Sequence, residues 1–425
     1  MKNIKNPILF LSVALLLTAC GGGANSASSQ QQKNSSIKLI NPEDTSMLTE
    51  NCKAYIDAMR EIRDANDNPY KYHEIDLNIE DTAKAFLDTG DVNGKNQTVN
   101  GQTPDRSDKS LGVELKFEVE DGFEAEEYKV LVSDNENFEN AKEYTYTGDA
   151  IRAKNLFVNT EYYWKVVADG EESEVGTFVT DDYPRWIDAR PMFNVRDNGG
   201  YMTESGQRVK QGLVYRGGEI TKGNGRDHIV TIADSAKEVF RNEMKIGVEL
   251  DLRGPSDIID QGGYSANAFA ENGDIEYVQY AIKSYEQTFT QTRSYVAPIF
   301  ELLKNADKKP VYYHCFGGAD RTGTVGFLLN GLLGVSYEDL VIDFELTSYS
   351  SINNEHIRNH LNGHQHAYDR WPALISQIQT DTTGGYAWDA NALLKDNIEN
   401  YLVKACNVPQ ETIDQIRNIM LEPAE

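Results

Sequence analysis

Positive charge is what this chain of 425 residues has least of. It carries 41 lysines and arginines against 67 aspartates and glutamates, a formal net charge of −26. No basic footprint exists to neutralise a phosphate backbone, which excludes nucleic acid as a partner. The same field opposes the approach of heavily phosphorylated substrates, although a local basic pocket would override it. Long apolar runs are also scarce. The apolar core at residues 8–17 is too short for a transmembrane helix, and no other stretch is long and apolar enough to span a bilayer. No internal repeat is visible, which excludes a solenoid or propeller array. Cysteine is limited to Cys20, Cys52, Cys315 and Cys406. What remains, 40% hydrophobic and 25% charged, is ordinary globular material in a chain long enough for two or three domains.

Against that background one stretch stands out: His314-Cys315-Phe316-Gly317-Gly318-Ala319-Asp320-Arg321-Thr322-Gly323-Thr324. It lies between a short apolar run, Pro310-Val311-Tyr312-Tyr313, and a helical pattern over 325–333. The reading is strand, tight glycine-bearing loop, helix. A cysteine six positions before an arginine across such a loop is a phosphate-cradling nucleophile site. The loop amides and the helix N-terminus form an anion-binding nest around Phe316, Gly317, Gly318 and Ala319. The same partial positive charge draws the Cys315 pKa down, which favours thiolate at neutral pH. Arg321 can fork two equatorial phosphate oxygens and follow their charge into the transition state. Thr322 can hydrogen-bond the thiolate or the phosphoenzyme. Gly317, Gly318 and Gly323 let backbone approach the phosphate. The alternative, a buried cysteine beside a turn, leaves that combination unexplained.

Residues 1–20 read as a targeting segment, with Lys2 and Lys5 ahead of an apolar core and Leu17-Thr18-Ala19-Cys20 at its end. That quartet resembles the bacterial lipobox. The resemblance implies cleavage before Cys20, lipidation of that residue, and a protein tethered to the outer side of the cell membrane by its lipid alone. With Cys20 and Cys315 so engaged, only Cys52 and Cys406 remain to pair; spacing leaves a disulfide and two free thiols both open.

Residues 21–45, rich in Gly, Ser, Gln and Asn at the start, read as a flexible tether. The segment 46–108 is unassigned except for a helix over 47–63, where Leu48, Cys52, Tyr55, Ile56, Met59 and Ile62 recur at three-to-four spacing. Residues 109–181 change to period two: Val113, Leu115, Phe117 and Val119, then Tyr128, Val130 and Val132, then a dense aromatic strand from Thr160 and a last one over 175–179. This predicts a small all-β sandwich. Thr160-Glu161-Tyr162-Tyr163-Trp164-Lys165-Val166 followed by Gly176-Thr177-Phe178-Val179-Thr180 resembles a fibronectin type III module, in which Tyr and Trp are core. It carries no catalytic constellation, so a spacer or a protein-binding role is expected. After a link over 181–190, residues 190–425 alternate strands (209–216, 246–252, 275–282) with helices (232–241, 292–304), an α/β domain.

Several of its segments resemble the type 3 tyrosine phosphatase family, the bacterial group that includes the secreted mycobacterial tyrosine phosphatase. They are Asn194-Val195-Arg196-Asp197-Asn198-Gly199-Gly200-Tyr201, Val214-Tyr215-Arg216-Gly217-Gly218, Asp251-Leu252-Arg253, the loop 314–323, and the C-terminal stretches 343–348 and 397–420. They occur in the family's order over about 190–422. The resemblance implies a cysteine-phosphatase domain with a mostly parallel central sheet, and a phosphocysteine intermediate. Many tyrosine phosphatases take their general acid from an upstream Trp-Pro-Asp loop; here Trp371-Pro372-Ala373 lies downstream and lacks the aspartate. The family resemblance instead puts the acid at Asp320, which could equally be a structural N-cap. His314 is expected to orient the loop by hydrogen bonds. Asp251 and Arg253, ending a buried strand, either brace the loop, touch substrate or form a plain salt bridge, and Arg196 and Arg216 have the same standing. One departure is Ala319, where many members carry a lysine linked with lipid and phosphoinositide substrates.

His356, His360 and His364 would share one helical face, a candidate metal site with His366 beside it. Gly363 interrupts that helix, and cysteine-based phosphoryl transfer requires no metal, so the expectation is no metal and no cofactor. The leading function is a phosphatase acting on phosphorylated protein, phosphotyrosine above all. A small phosphomonoester such as an inositol phosphate is the alternative, because cysteine phytases use a similar loop. A phosphate-binding interaction protein is the non-enzyme reading, which would have no need of the nucleophile.

Overall fold

Period-two alternation builds the first layer. The computed structural model describes residues 35–73, 110–148, 150–220, 232–255, 273–352, 355–356 and 367–423. Strand β1 (Ile37–Ile40) is followed by helix α1 (Glu50–Ala65). Then come β2 (Val113–Val119), β3 (Lys129–Ser133), β4 (Lys142–Thr145), β5 (Ile151–Ala153), β6 (Glu161–Ala168), β7 (Glu171–Glu172) and β8 (Gly176–Val179). They form two antiparallel sheets, β1-β2-β5 and β4-β3-β6-β7, with β8 also paired to β6. On β6, Tyr162, Trp164, Val166 and Ala168 point inward, and they share one core with Val113, Leu115, Val130 and Val132. The two inner faces thus bury each other.

One feature differs from the expectation. Residues 37–40, inside the stretch read as tether, form an edge strand with Ile37 opposite Val119 and Ile40 opposite Lys116. Four residues are too short an alternation to stand out from polar sequence, yet Ile37 is buried in the sandwich core. Helix α1, capped by the Thr49 hydroxyl on the Cys52 amide, sinks Leu48, Cys52, Tyr55, Ile56 and Met59 into the other core, that of the α/β layer. Arg63 pairs with Asp339 at 3.1 Å and Pro69 accepts from the Tyr337 amide at 2.9 Å. The chain therefore runs from sandwich to α/β layer and back before entering the α/β layer for good. Buried Arg185 stitches the two, donating to the Leu156 and Asn155 carbonyls at 2.9 and 2.8 Å and to Asp197 at 2.7 Å.

The α/β layer comprises β9 (Arg196–Asp197), β10 (Val214–Gly217), α2 (Asp234–Glu238, continued by a π turn Val239–Glu243), β11 (Val248–Asp251), β12 (Glu276–Gln279), α3 (Glu286–Gln291), α4 (Val296–Leu303), β13 (Val311–His314), α5 (Asp320–Leu333), α6 (Tyr337–Glu345), the short pair β14 (Ser351–Ile352) and β15 (Glu355–His356), α7 (Ala367–Thr380), α8 (Leu394–Lys404) and α9 (Gln410–Met420). The sheet order is β12-β11-β13-β10-β9, parallel except for β9. Central β13 is buried at every residue, so its sequence is a continuous apolar run and shows no alternation. Gly217 and Asp251 both lie opposite His314. Three carboxyl ends therefore converge on the loop after His314, where open α/β sheets hold ligands. Helix α5 is buried along nearly its whole length and ends at Gly334, in the left-handed conformation, whose amide returns to the carbonyls of Asn330 and Gly331.

Candidate active site

The loop between β13 and α5 is shaped by what fits around its backbone. Gly318 has φ +67°, and a Cβ there would run into the Gly217 carbonyl, so no L side chain can replace it. Ala319 stands at the helix cap without a side-chain acceptor, and Asp320 opens the helix. Ala319, and not Asp320, therefore holds the N-cap position of that helix.

Three successive loop carbonyls are claimed from behind. The Glu219 amide donates to Phe316 O at 2.9 Å, Asn194 Nδ2 to Gly317 O at 2.9 Å and Arg216 Nη2 to Gly318 O at 3.0 Å. In a trans peptide the carbonyl and the following N–H point opposite ways. Turning these carbonyls outward aims the amides of Gly317, Gly318 and Ala319 to the other side, as an anion nest requires.

Cys315 is 3% exposed. Burial pushes its thiol up, but the Arg321 charge and the Thr322 hydroxyl and amide outweigh burial and hold it below the usual range; Asp320 opposes them. Among the described residues the buried Thr322 hydroxyl has no other partner, so the sulfur is the acceptor open to it. Phe316 and Arg321 are half-buried, Asp320 is exposed and Gly323 lies buried against Phe344. Asp320 accepts a hydrogen bond from the Tyr285 hydroxyl.

Behind the loop sit two buried guanidiniums around one carboxylate. Arg216 pairs with Asp343 while holding Gly318. Arg196 donates to Asn194 Oδ1 and, at 2.9 Å, to the Asp343 carbonyl, with its guanidinium 4.9 Å from the Trp186 ring centre. Burial and the neighbouring Arg216 charge pull Arg196 down to about 10. Both arginines therefore brace the loop, one directly and one through Asn194.

A second buried network lies under β13. His314 has Cys315 O at 3.1 Å from Nδ1 and Glu249 Oε1 at 3.0 Å from Nε2. Both partners are acceptors, so both ring nitrogens donate. Burial lowers the imidazole pKa, but Asp251 and Glu249 raise it further, and the net direction is up. Asp251 accepts from the Arg253 amide and Nε, each at 2.9 Å, and from its Nη2 at 2.7 Å; Tyr277 adds its hydroxyl at 3.1 Å. Arg253 also pairs with Glu219, whose carboxyl burial pushes up to about 7 against the pull of Arg253 and His314. At 2% exposure Arg253 is engaged by Asp251 and Glu219, so the salt bridge, one of its three open roles, is present.

Asn194, Glu219, Glu249, Tyr285 and Asp343 were not singled out from the sequence. The one local signal was Asn194, whose left-handed φ of +57° suits asparagine. Trp371 and Pro372 lie inside α7, with Trp371 packed on Phe327 and Phe344. His356 ends a strand, so it shares no helical face, and His360, His364, His366 and Cys20 lie outside the described residues. Cys52 and Cys406 are buried free thiols.

Residues 187–422 match the model of the tyrosine phosphatase family, which is more than half of the chain. No curated protein matches.

Proposed function

The chain belongs to the tyrosine phosphatase family and is a phosphoric monoester hydrolase, and on that premise we propose that it removes phosphate from phosphotyrosine in proteins through a phosphocysteine. The observation that carries this reading is a thiol, 3% exposed, held below its usual pKa by Arg321 and Thr322 at a helix N-terminus. Burial alone would do the opposite. The Cys315 thiolate attacks phosphorus, the S–P bond forming as the P–O ester bond breaks. Arg321 and the loop amides of 316–319, with Thr322 and Gly323, hold the equatorial oxygens. Asp320 gives its proton to the departing oxygen. Water then attacks the phosphocysteine, returns a proton to Asp320 and releases inorganic phosphate and thiolate. His314, Asp251, Arg253, Arg196 and Arg216 keep the cradle rigid.

The acidic balance and Ala319 in place of a lysine favour a phosphoprotein over a polyanionic inositol phosphate or phosphoinositide. The leader ending at Cys20 supports a lipid-anchored protein facing away from the cytoplasm. The paired antiparallel sheets support a fibronectin type III-like module that holds a protein partner. Phosphate release from a phosphotyrosine peptide, a phosphoserine peptide, inositol hexakisphosphate and a phosphoinositide, measured in parallel, tests the reading. A Cys315-dependent preference for the first is expected, and a preference for either inositol compound overturns it.

A further inference from the structure

We propose that Tyr285 is the positioning residue for Asp320: its hydroxyl, donating to Oδ1, reserves Oδ2 as the oxygen that carries and delivers the proton. This rests on the reading of Asp320 as general acid. The residue is held in an unusual way. Tyr285 has φ +54° and ψ −132°, a conformation that non-glycine residues rarely adopt and that persists only where surroundings enforce it. Two bonds to the first turn of α5 enforce it here. The Tyr285 amide donates to Thr324 Oγ1 at 2.9 Å, and its hydroxyl donates to Asp320. Thr324 and Asp320 are four residues apart, on one face of the helix, and Thr324 Oγ1 itself donates to the Asp320 carbonyl at 2.9 Å. One residue from outside the loop thus grips the loop's helix by backbone and by side chain.

The ring is fixed as well. It is 6% exposed, stands 6.0 Å from Trp371 and 6.1 Å from Phe344 between centroids, and has the Arg370 guanidinium over its face at 5.0 Å. A cation over the ring withdraws electron density and makes the phenol a stronger donor. The phenol is a hydrogen-bond donor here, with its O–H directed at Asp320. It donates into one carboxyl oxygen and leaves the other to carry the transferable proton. Asp320 is exposed at the loop mouth, and a hydrogen bond from a fixed ring narrows the rotamers its two-bond side chain can sample. In the first step the proton leaves Asp320 Oδ2 for the ester oxygen as the P–O bond breaks, and in the second Oδ2 recovers one from water. Tyr285 keeps its own throughout.

The test is Tyr285→Phe, which keeps the ring and its packing and removes one oxygen. Turnover is compared across aryl phosphates from good to poor leaving groups, in the parent and in an Asp320→Asn background. The expected result is a fall in kcat of about 10-fold to 100-fold for poor leaving groups, a much smaller loss for 4-nitrophenyl phosphate, and little change in KM. In the Asp320→Asn background the substitution should cost nothing further, because there is no proton left to aim. If Tyr285→Phe slows good and poor leaving groups alike, or costs as much in the Asp320→Asn background, Tyr285 is structural only and the proposal fails. If Asp320→Asn slows poor leaving groups while Tyr285→Phe does not, the acid stands and the positioning role falls. If Asp320→Asn leaves poor leaving groups untouched, the acid assignment itself is wrong.

Discussion

Two buried cysteines in one core behave in opposite ways. Cys315 is 3% exposed and Cys406 is 2% exposed, yet the first thiol is held below its usual range and the second is pushed up to about 12. Burial raises both. The difference lies in what stands against it. Cys315 precedes the N-terminus of α5, the positive end of a helix, with Arg321 and the Thr322 hydroxyl turned toward it. Cys406 follows the C-terminus of α8, the negative end. An arginine acts on it too, but Arg293 is paired with Asp381, whose charge works the other way. A guanidinium near a thiol is therefore not enough; the other charges beside it and the direction of the helix decide which way the thiol moves.

The largest effect that would break this contrast is loss of the nucleophile. Cys315→Ser is expected to lower kcat/KM by on the order of 10^4 to 10^6, whereas Cys406→Ser should leave it within about twofold and cost about 1–3 kcal/mol of stability for the buried hydroxyl. Equal losses in both variants would mean that Cys315 matters only as core. Arg321→Ala comes next, with kcat down by about 10^2 to 10^3. It should also move the pH at which iodoacetamide labels Cys315 upward, since the thiolate loses its counter-charge, and mass mapping of the native protein should find Cys406 and Cys52 unlabelled throughout.

Asp343→Asn sharpens the comparison from behind the loop. It leaves two buried guanidiniums facing each other, and urea unfolding should show a loss of about 3–5 kcal/mol. A loss under about 1 kcal/mol would mean that Asn194 and the backbone suffice to hold Gly317 and Gly318. The smallest effect concerns Glu219. Its folded pKa of about 7 lies above its unfolded value, so between the two the folded form holds a proton that the unfolded form has released. Its contribution to stability is present at low pH and is lost as pH rises through about 7. Glu219→Gln should flatten that decline, by at most about 3 kcal/mol; an unchanged pH profile would place the titration elsewhere.

Much of the α/β layer was legible because its signals are local. The apolar run of β13, the glycines after it and the helical spacing of α1 each occupy 16 residues or fewer. The strand expected over 209–216 begins only at Val214, and the helix expected over 292–304 is divided by a 3-10 turn at Arg293–Tyr295 before α4. Polar segment ends carry no periodicity to mark them. β1 escaped notice because its pairing with β2 joins residues nearly eighty positions apart. The same holds for the braces. Asn194 reaches Gly317 across 123 positions, Arg216 reaches Asp343 across 127, and Tyr285 reaches Asp320 across 35.

By itself, then, the amino-acid order determined the chemistry available to this protein: a sulfur, an arginine and a carboxyl in one loop, glycines where backbone must pass closely, and a helix start beneath them. Those are contiguous, and their meaning survives without a fold. Which residues hold the loop and which carboxyl oxygen the tyrosine claims were decided only by tertiary structure. Each depends on distances and dielectric between side chains far apart along the chain, and electrostatic work scales with those distances rather than with position in the sequence.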